Sequence, residues 1–246
     1  MSEIKPVVLF ETEGSYPYSG GGVSTWAHIL CTELQDEVDF HLMAVTGNPF
    51  VEPRYKLPKN ITEIIHIPLW GVEEPAHYFD KKTPFSEQIE KKARTTKNVV
   101  KKHFMPIFKD FIECLNDPFK DVDVISEVIY GFWKYFQHYD YKLTMREPLL
   151  WVDFKESLLT KYVDNYDPEL GATPKVIDMT FGMRWLYHFM MPVATPIPAG
   201  VNVSHSTLAG FPALASIAAK YEYGIPSMVT DHGVYMCIIQ QIKFPL

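Results

Sequence analysis

The sequence predicts an α/β fold with an open parallel sheet and a mainly helical insertion. Three observations carry this. A short apolar run, Pro6–Glu11, is followed by a Gly-rich loop and then by helical spacing. Two further strand-like runs come next. The α/β pattern resumes near residue 201, after a long stretch with almost no strand character. Such a β-loop-α-β-β opening belongs to an open α/β sheet.

The elements follow in order. Pro6–Glu11 is continuously apolar up to its last residue, as expected of a strand buried on both faces. Residues 12–22 form a loop of Gly, Ser, Pro and Tyr. From Val23 to Leu34, residues Val23, Trp26, Ala27, Leu30 and Leu34 fall on one helical stripe. Asp39–Val45 is the second strand and ends at the turn Thr46-Gly47-Asn48-Pro49. Thr62–Leu69 is the third.

The middle is helical, over roughly residues 75–175. One long pattern spans Lys81–Asn116, started by Thr83-Pro84, with Pro106 expected to kink or divide it. Glu87 with Lys91, and Glu90 with Arg94, stand four apart in the favourable order. Asp121–Gln137 and Glu147–Asn165 are further helices, and Asp178–Met191 is helical and aromatic-rich. Then come the strand Val201–Ser204, the Ala-rich helix Leu208–Tyr223 closed by Gly224, and the strand Ile225–Thr230. The whole reads as one domain, residues 1–246, with a helical insertion.

The chain has 246 residues and a formal charge of -7, with 23 basic against 30 acidic side chains. That is ample length for a core. The acidic balance argues against a nucleic-acid binder that neutralises phosphates, so Lys91-Lys92-Arg94-Lys97-Lys101-Lys102 reads as the solvated face of a helix. No run reaches the roughly 18 apolar residues of a membrane span, and the first residues lack a secretion signal. Cys31, Cys114 and Cys237 lie far apart, without metal or disulfide spacing. A cytoplasmic protein with reduced thiols is expected, and no metal site.

Two places could carry chemistry. Gly20-Gly21-Gly22 stands between the first strand and the first helix. It bares the backbone, and the helix start offers unpaired N–H groups and the positive dipole end, which suit a phosphate. A tight turn explains the loop equally well. The second place is Thr230-Asp231-His232-Gly233, at a strand's carboxyl end, where open α/β sheets bind ligands. A histidine there can bond a hydroxyl or move a proton; a structural loop cap is the alternative. His205 has a weaker claim of the same kind. His28, His41 and His66 fall within regular elements and read as structural.

Read together, the two ends resemble one family. Phe10-Glu11-Thr12-Glu13-Gly14-Ser15-Tyr16-Pro17-Tyr18-Ser19-Gly20-Gly21-Gly22-Val23-Ser24-Thr25-Trp26 resembles the start of PelF-like glycosyltransferases. Val203-Ser204-His205-Ser206, Tyr223-Gly224-Ile225-Pro226 and Val229-Thr230-Asp231-His232-Gly233-Val234-Tyr235 resemble that family's later block, in which Glu usually stands where Asp231 does. The likeness spans roughly residues 5–235. It implies a retaining, family 4 type enzyme of GT-B architecture, built from two Rossmann-like domains, of which this would be the N-terminal, acceptor-side one.

By the same resemblance, Gly20, Gly21, Gly22 and Val23 face the donor diphosphate, and His232 lies at the sugar and acceptor as the catalytic candidate. Glu13, Tyr18, His205, Ser206, Asp231, Gly233 and Tyr235 are the expected substrate contacts. The implied donor is UDP-glucose or a related nucleotide sugar, the acceptor a glycan in polysaccharide synthesis, with no metal or other cofactor. No E-x7-E-like donor motif follows Tyr235. The expectation is therefore an acceptor half that is inactive without a donor-binding half, which a second polypeptide could supply. The other classes open at this point are a non-catalytic phosphate- or glycan-binding module and a subunit of a split glycosyltransferase.

Overall fold

The computed structural model describes residues 5–117, 120–164 and 175–232. The chain forms two compact units, one of Met1–Pro68 with Ile197–Leu246, the other of Leu69–Pro196.

The first unit opens with β1 (Val7–Glu13), α1 (Gly22–Glu33), β2 (Asp39–Thr46) and β3 (Ile61–Pro68). Leu9, Phe10, Glu11 and Thr12 are all buried, so β1 is covered on both faces, as its unbroken apolar run requires. Helix α1 buries Ser24, Ala27 and Cys31, spaced three and four apart on one stripe. Phe10, Phe40 and Leu42 from the strands pack with Ala27 and Cys31, and Trp26 and Leu30 cover the edge of this cluster. Fully burying a ring such as Phe10 contributes roughly 2–3 kcal/mol.

The second unit is helical. It contains α2 (Ala76–Phe79), α3 (Phe85–Arg94), α4 (Lys97–Val99), a π-helical turn (Val100–Phe104), α5 (Met105–Asn116) and α6 (Val122–His138). It continues with α7 (Tyr141–Met145), α8 (Pro148–Asp164), α9 (Val176–Phe189) and α10 (Met191–Ala194). Its core is aromatic. Phe104 is fully buried among Phe108, Phe132, Tyr135 and Phe136, at ring centroids 4.8–6.1 Å away.

The helical pattern expected over Lys81–Asn116, with a kink or division at Pro106, is already broken before that proline. At Thr95 the hydroxyl bonds the Lys91 carbonyl and also accepts from the Asp140 N–H at 2.8 Å, and Thr96 then caps α4 by accepting from Val99 N–H. Side-chain oxygens thus compete with the helix ladder and end it. Pro106 lies in the first turn of α5. The π-helical turn just before it widens the backbone where a missing N–H and a bulky ring must be accommodated. Two residues of the basic stripe are tied down: Lys91 reaches Asp80 at 3.3 Å and Lys92 reaches Glu74 at 2.8 Å.

The chain re-enters the first unit as β4 (Val203–Ser206), α11 (Ala213–Tyr223) and β5 (Ser227–Val229). The expected Gly224 stop is present, with φ of +66° and its N–H on the Lys220 carbonyl at 2.9 Å. The sheet is wholly parallel, in the order β3-β2-β1-β4-β5. This is an α/β, Rossmann-like arrangement. Strands are added to one side of β1 and then to the other, so the order reverses between β1 and β4. Crevices at such switch points receive ligands in open α/β sheets.

Candidate functional site

Beyond its carboxyl end, β1 enters the Gly-rich loop. Gly14, at φ of +58°, starts the turn and bonds the Val45 carbonyl at 2.9 Å. Thr12 donates its hydroxyl to the Tyr16 carbonyl at 2.6 Å. Gly21 is the N-cap of α1 with φ of +132°, a conformation that favours glycine, and no side chain caps the helix. Its carbonyl accepts Thr25 N–H at 2.9 Å. The N–H groups of Gly22, Val23 and Ser24 therefore have no acceptor within the helix. Side chains added at Gly21 or Gly22 would meet nothing within 4 Å among the described residues, so this helix end is open there. At Gly20 an added carbon would lie 3.3 Å from Nη1 of Arg54. Arg54 is anchored beside the loop by its own N–H, which bonds the Pro17 carbonyl at 2.8 Å. The loop thus has a guanidinium next to its bare backbone.

The histidines gather one turn further along α1. Trp26 stands edge-on to His205, at 5.8 Å between centroids, and to His232 at 4.6 Å. His205 lies inside β4, opposite Phe10 on β1, and its Nε2 is 2.8 Å from the Thr230 hydroxyl. Burial pushes its pKa down, and the neighbouring His232 adds to this, so His205 is a neutral ring. His232 and Asp231 are exposed. A buried neutral imidazole thus stands close to an exposed one. Gly233 and Tyr235 lie outside the described residues.

The acidic residues of β1 behave differently from surface carboxylates. Glu11 is fully buried and receives a hydrogen bond from the Ser216 hydroxyl of α11; its other carboxyl oxygen has no partner among the described residues. Burial pushes its pKa up to about 8, against the lowering by Ser216. Glu13 is also raised by burial, and the Phe211 backbone partly offsets this. Ser206 is fully buried and its hydroxyl is engaged by the Leu208 carbonyl at 2.8 Å. Tyr18 packs against His66 at 5.1 Å, and His66 is itself bonded to Thr46 at 2.7 Å. The expected site residues therefore fall into groups: the loop with Arg54, His205 and His232 about Trp26, Glu13 and Ser206 beside the loop after β4, and Tyr18 at the β2–β3 end.

Sequence reasoning passed over Arg54 and Glu11. Arg54 has no motif around it, and only the fold brings it to Gly20. Glu11 was visible as the one charged residue of the apolar run Pro6–Glu11, but its partner stands 205 residues away.

A family model described as "Domain of unknown function (DUF3492)" matches residues 6–237. The chain belongs to this family. DUF3492 is a domain associated with glycosyltransferase-like proteins of the GT4 type. In this DUF3492 chain the match takes in the Gly loop, α1, His205 and His232. No curated protein and no solved structure matches the chain. Among the described residues, no group of three or more His, Cys, Asp or Glu side chains could hold a metal ion, and no helix is long and apolar enough to cross a membrane.

Proposed function

We propose that the α/β unit is the acceptor-side domain of a retaining, PelF-like glycosyltransferase that uses UDP-glucose or a related nucleotide sugar in polysaccharide synthesis. One observation carries this reading. The open N-terminus of α1, flanked by Arg54, lies beyond the central strand of a Rossmann-like sheet, and Trp26 of the same helix holds His205 and His232. Backbone N–H groups of Gly20–Val23 would face the donor diphosphate. They stabilise the charge that develops on the leaving group, because their dipoles are already aligned before reaction. Arg54 adds charge-assisted bonds to the same oxygens. His232 stands at the sugar and acceptor; being exposed, it can meet an acceptor hydroxyl. His205 sets the position of Trp26 and thereby of His232. The family's association with GT4-type proteins supports the same reading.

The test is a titration with UDP and UDP-glucose, following the backbone amides of Gly20–Val23 by NMR. We expect these amides to shift saturably. Gly21→Val, which puts a branched side chain at a φ of +132°, should abolish the response, and Arg54→Ala should weaken it about tenfold. Amides that ignore both ligands would sink the proposal. Binding without any sugar transfer, in the presence of a donor-binding half, would leave the chain a phosphate-binding module.

A further inference from the structure

The helical unit contains a cavity of about 560 Å³, between the start of α8 and the last two turns of α9. This is a ligand-sized volume. Its walls combine three kinds of group. Trp151 and Tyr187 offer half-buried ring faces. Arg146 and Arg184 supply guanidinium donors, and neither forms an ion pair among the described residues. Acceptors come from Glu147 and His188.

His188 is held firmly. Its ring lies 3.8 Å from that of Trp70, over which Arg184 also sits at 5.8 Å. Its Nδ1 donates to the Leu69 carbonyl, which can only accept, so Nε2 carries the lone pair. Burial lowers its pKa, which keeps that lone pair available near neutral pH.

This lining discriminates among ligand classes. A purely apolar ligand would desolvate guanidiniums without pairing them, which is costly. A polyanion would meet Glu147 and also Glu73, whose exposed carboxylate is 3.8 Å from Lys142. A sugar fits both constraints. Each of its hydroxyls donates one hydrogen bond and accepts others, so it uses donors and acceptors placed side by side. Its C–H face packs on an aromatic ring. We propose that this cavity is a binding site for a neutral saccharide, separate from the nucleotide-sugar site of the α/β unit.

The experiment uses the full chain, with cellotetraose, maltotetraose and chitotetraose as probes and tryptophan fluorescence as readout. At least one probe binds saturably at millimolar concentration. Arg146→Ala and Arg184→Ala each weaken it about tenfold, with unchanged far-UV circular dichroism. Trp151→Phe retains part of the binding and Trp151→Ala loses it. Gly21→Val leaves it intact, so the failure of the nucleotide-sugar reading and of this one can be told apart. The proposal is overturned if none of the three probes binds, if inorganic phosphate displaces the sugar, or if both arginine variants bind as the parent does.

Discussion

At the scale of single residues, Glu11 is a carboxyl whose chemistry departs far from its surface behaviour. Unfolded, its carboxyl ionises near the usual 4.5; in the fold it does so near 8. Below about pH 4.5 both states hold the proton, and stability is unaffected. Between these values only the folded state holds it, so stability falls as pH rises and the loss is complete above about pH 8. Glu11→Gln removes the titration while keeping the shape. The variant should gain about 2–4 kcal/mol on the parent between pH 4.5 and 8.5, read by urea unfolding at the two pH values. A difference that stays constant with pH would mean that Glu11 is ionised in the fold. His205 works in the opposite sense. Its lowered pKa stabilises the fold above the ordinary histidine value, and that stability is lost as pH falls.

At the scale of elements, close helix packing rests on a glycine. Gly131 lies in the middle of α6, where glycine costs about 1 kcal/mol relative to alanine. A carbon added there would come within 3.1 Å of Cγ2 of Ile107 on α5. Gly131→Val should therefore destabilise the chain by about 1–3 kcal/mol. Adding Ile107→Ala should recover part of this; a wholly additive double variant would show that the two helices do not meet there. This contact also marks what the sequence made legible. The strand, Gly loop and first helix of the α/β unit could be read because apolar period and glycine placement act locally. So could the Gly224 stop. Helix α7 could not, because five residues are too few for a 3.6 period to show, and its cap, Asp140 accepting from Leu143 N–H, is a local signal without a following stripe. The break at Thr95 depends on Asp140, 45 residues on, and the approach of Arg54 to Gly20 depends on the folded loop. Contacts between distant segments carry no local pattern. The histidine pair about Trp26 was legible one residue at a time, through strand ends, but not as a cluster.

At the scale of the whole molecule, each unit has its own core, one around Phe10 and one around Phe104. Phe104→Ala should cost about 3–5 kcal/mol in the helical unit. Amide hydrogen exchange should then speed up in α5 and α6, while β1 and β2 keep their protection. Uniform loss in both would show a single cooperative block. The order of the sheet has a further consequence, for the time course of synthesis. Val7 N–H bonds the Asn202 side chain at 2.8 Å across 195 residues, and β1 pairs with β4 from Val8 to Glu11 on its second edge. At about 5–20 residues per second, the ribosome takes roughly 10–40 s to make that stretch. Throughout this interval β1 can pair with β2 but presents an open ladder of N–H and C=O groups on its other side, the kind of edge that invites pairing with another chain. Early folding of the helical unit shortens the effective loop and lowers the entropy of closing it. If the insertion folds before β4 is made, it tethers the nascent chain, and a variant that slows its folding should then increase aggregation during synthesis even where the finished protein is unchanged.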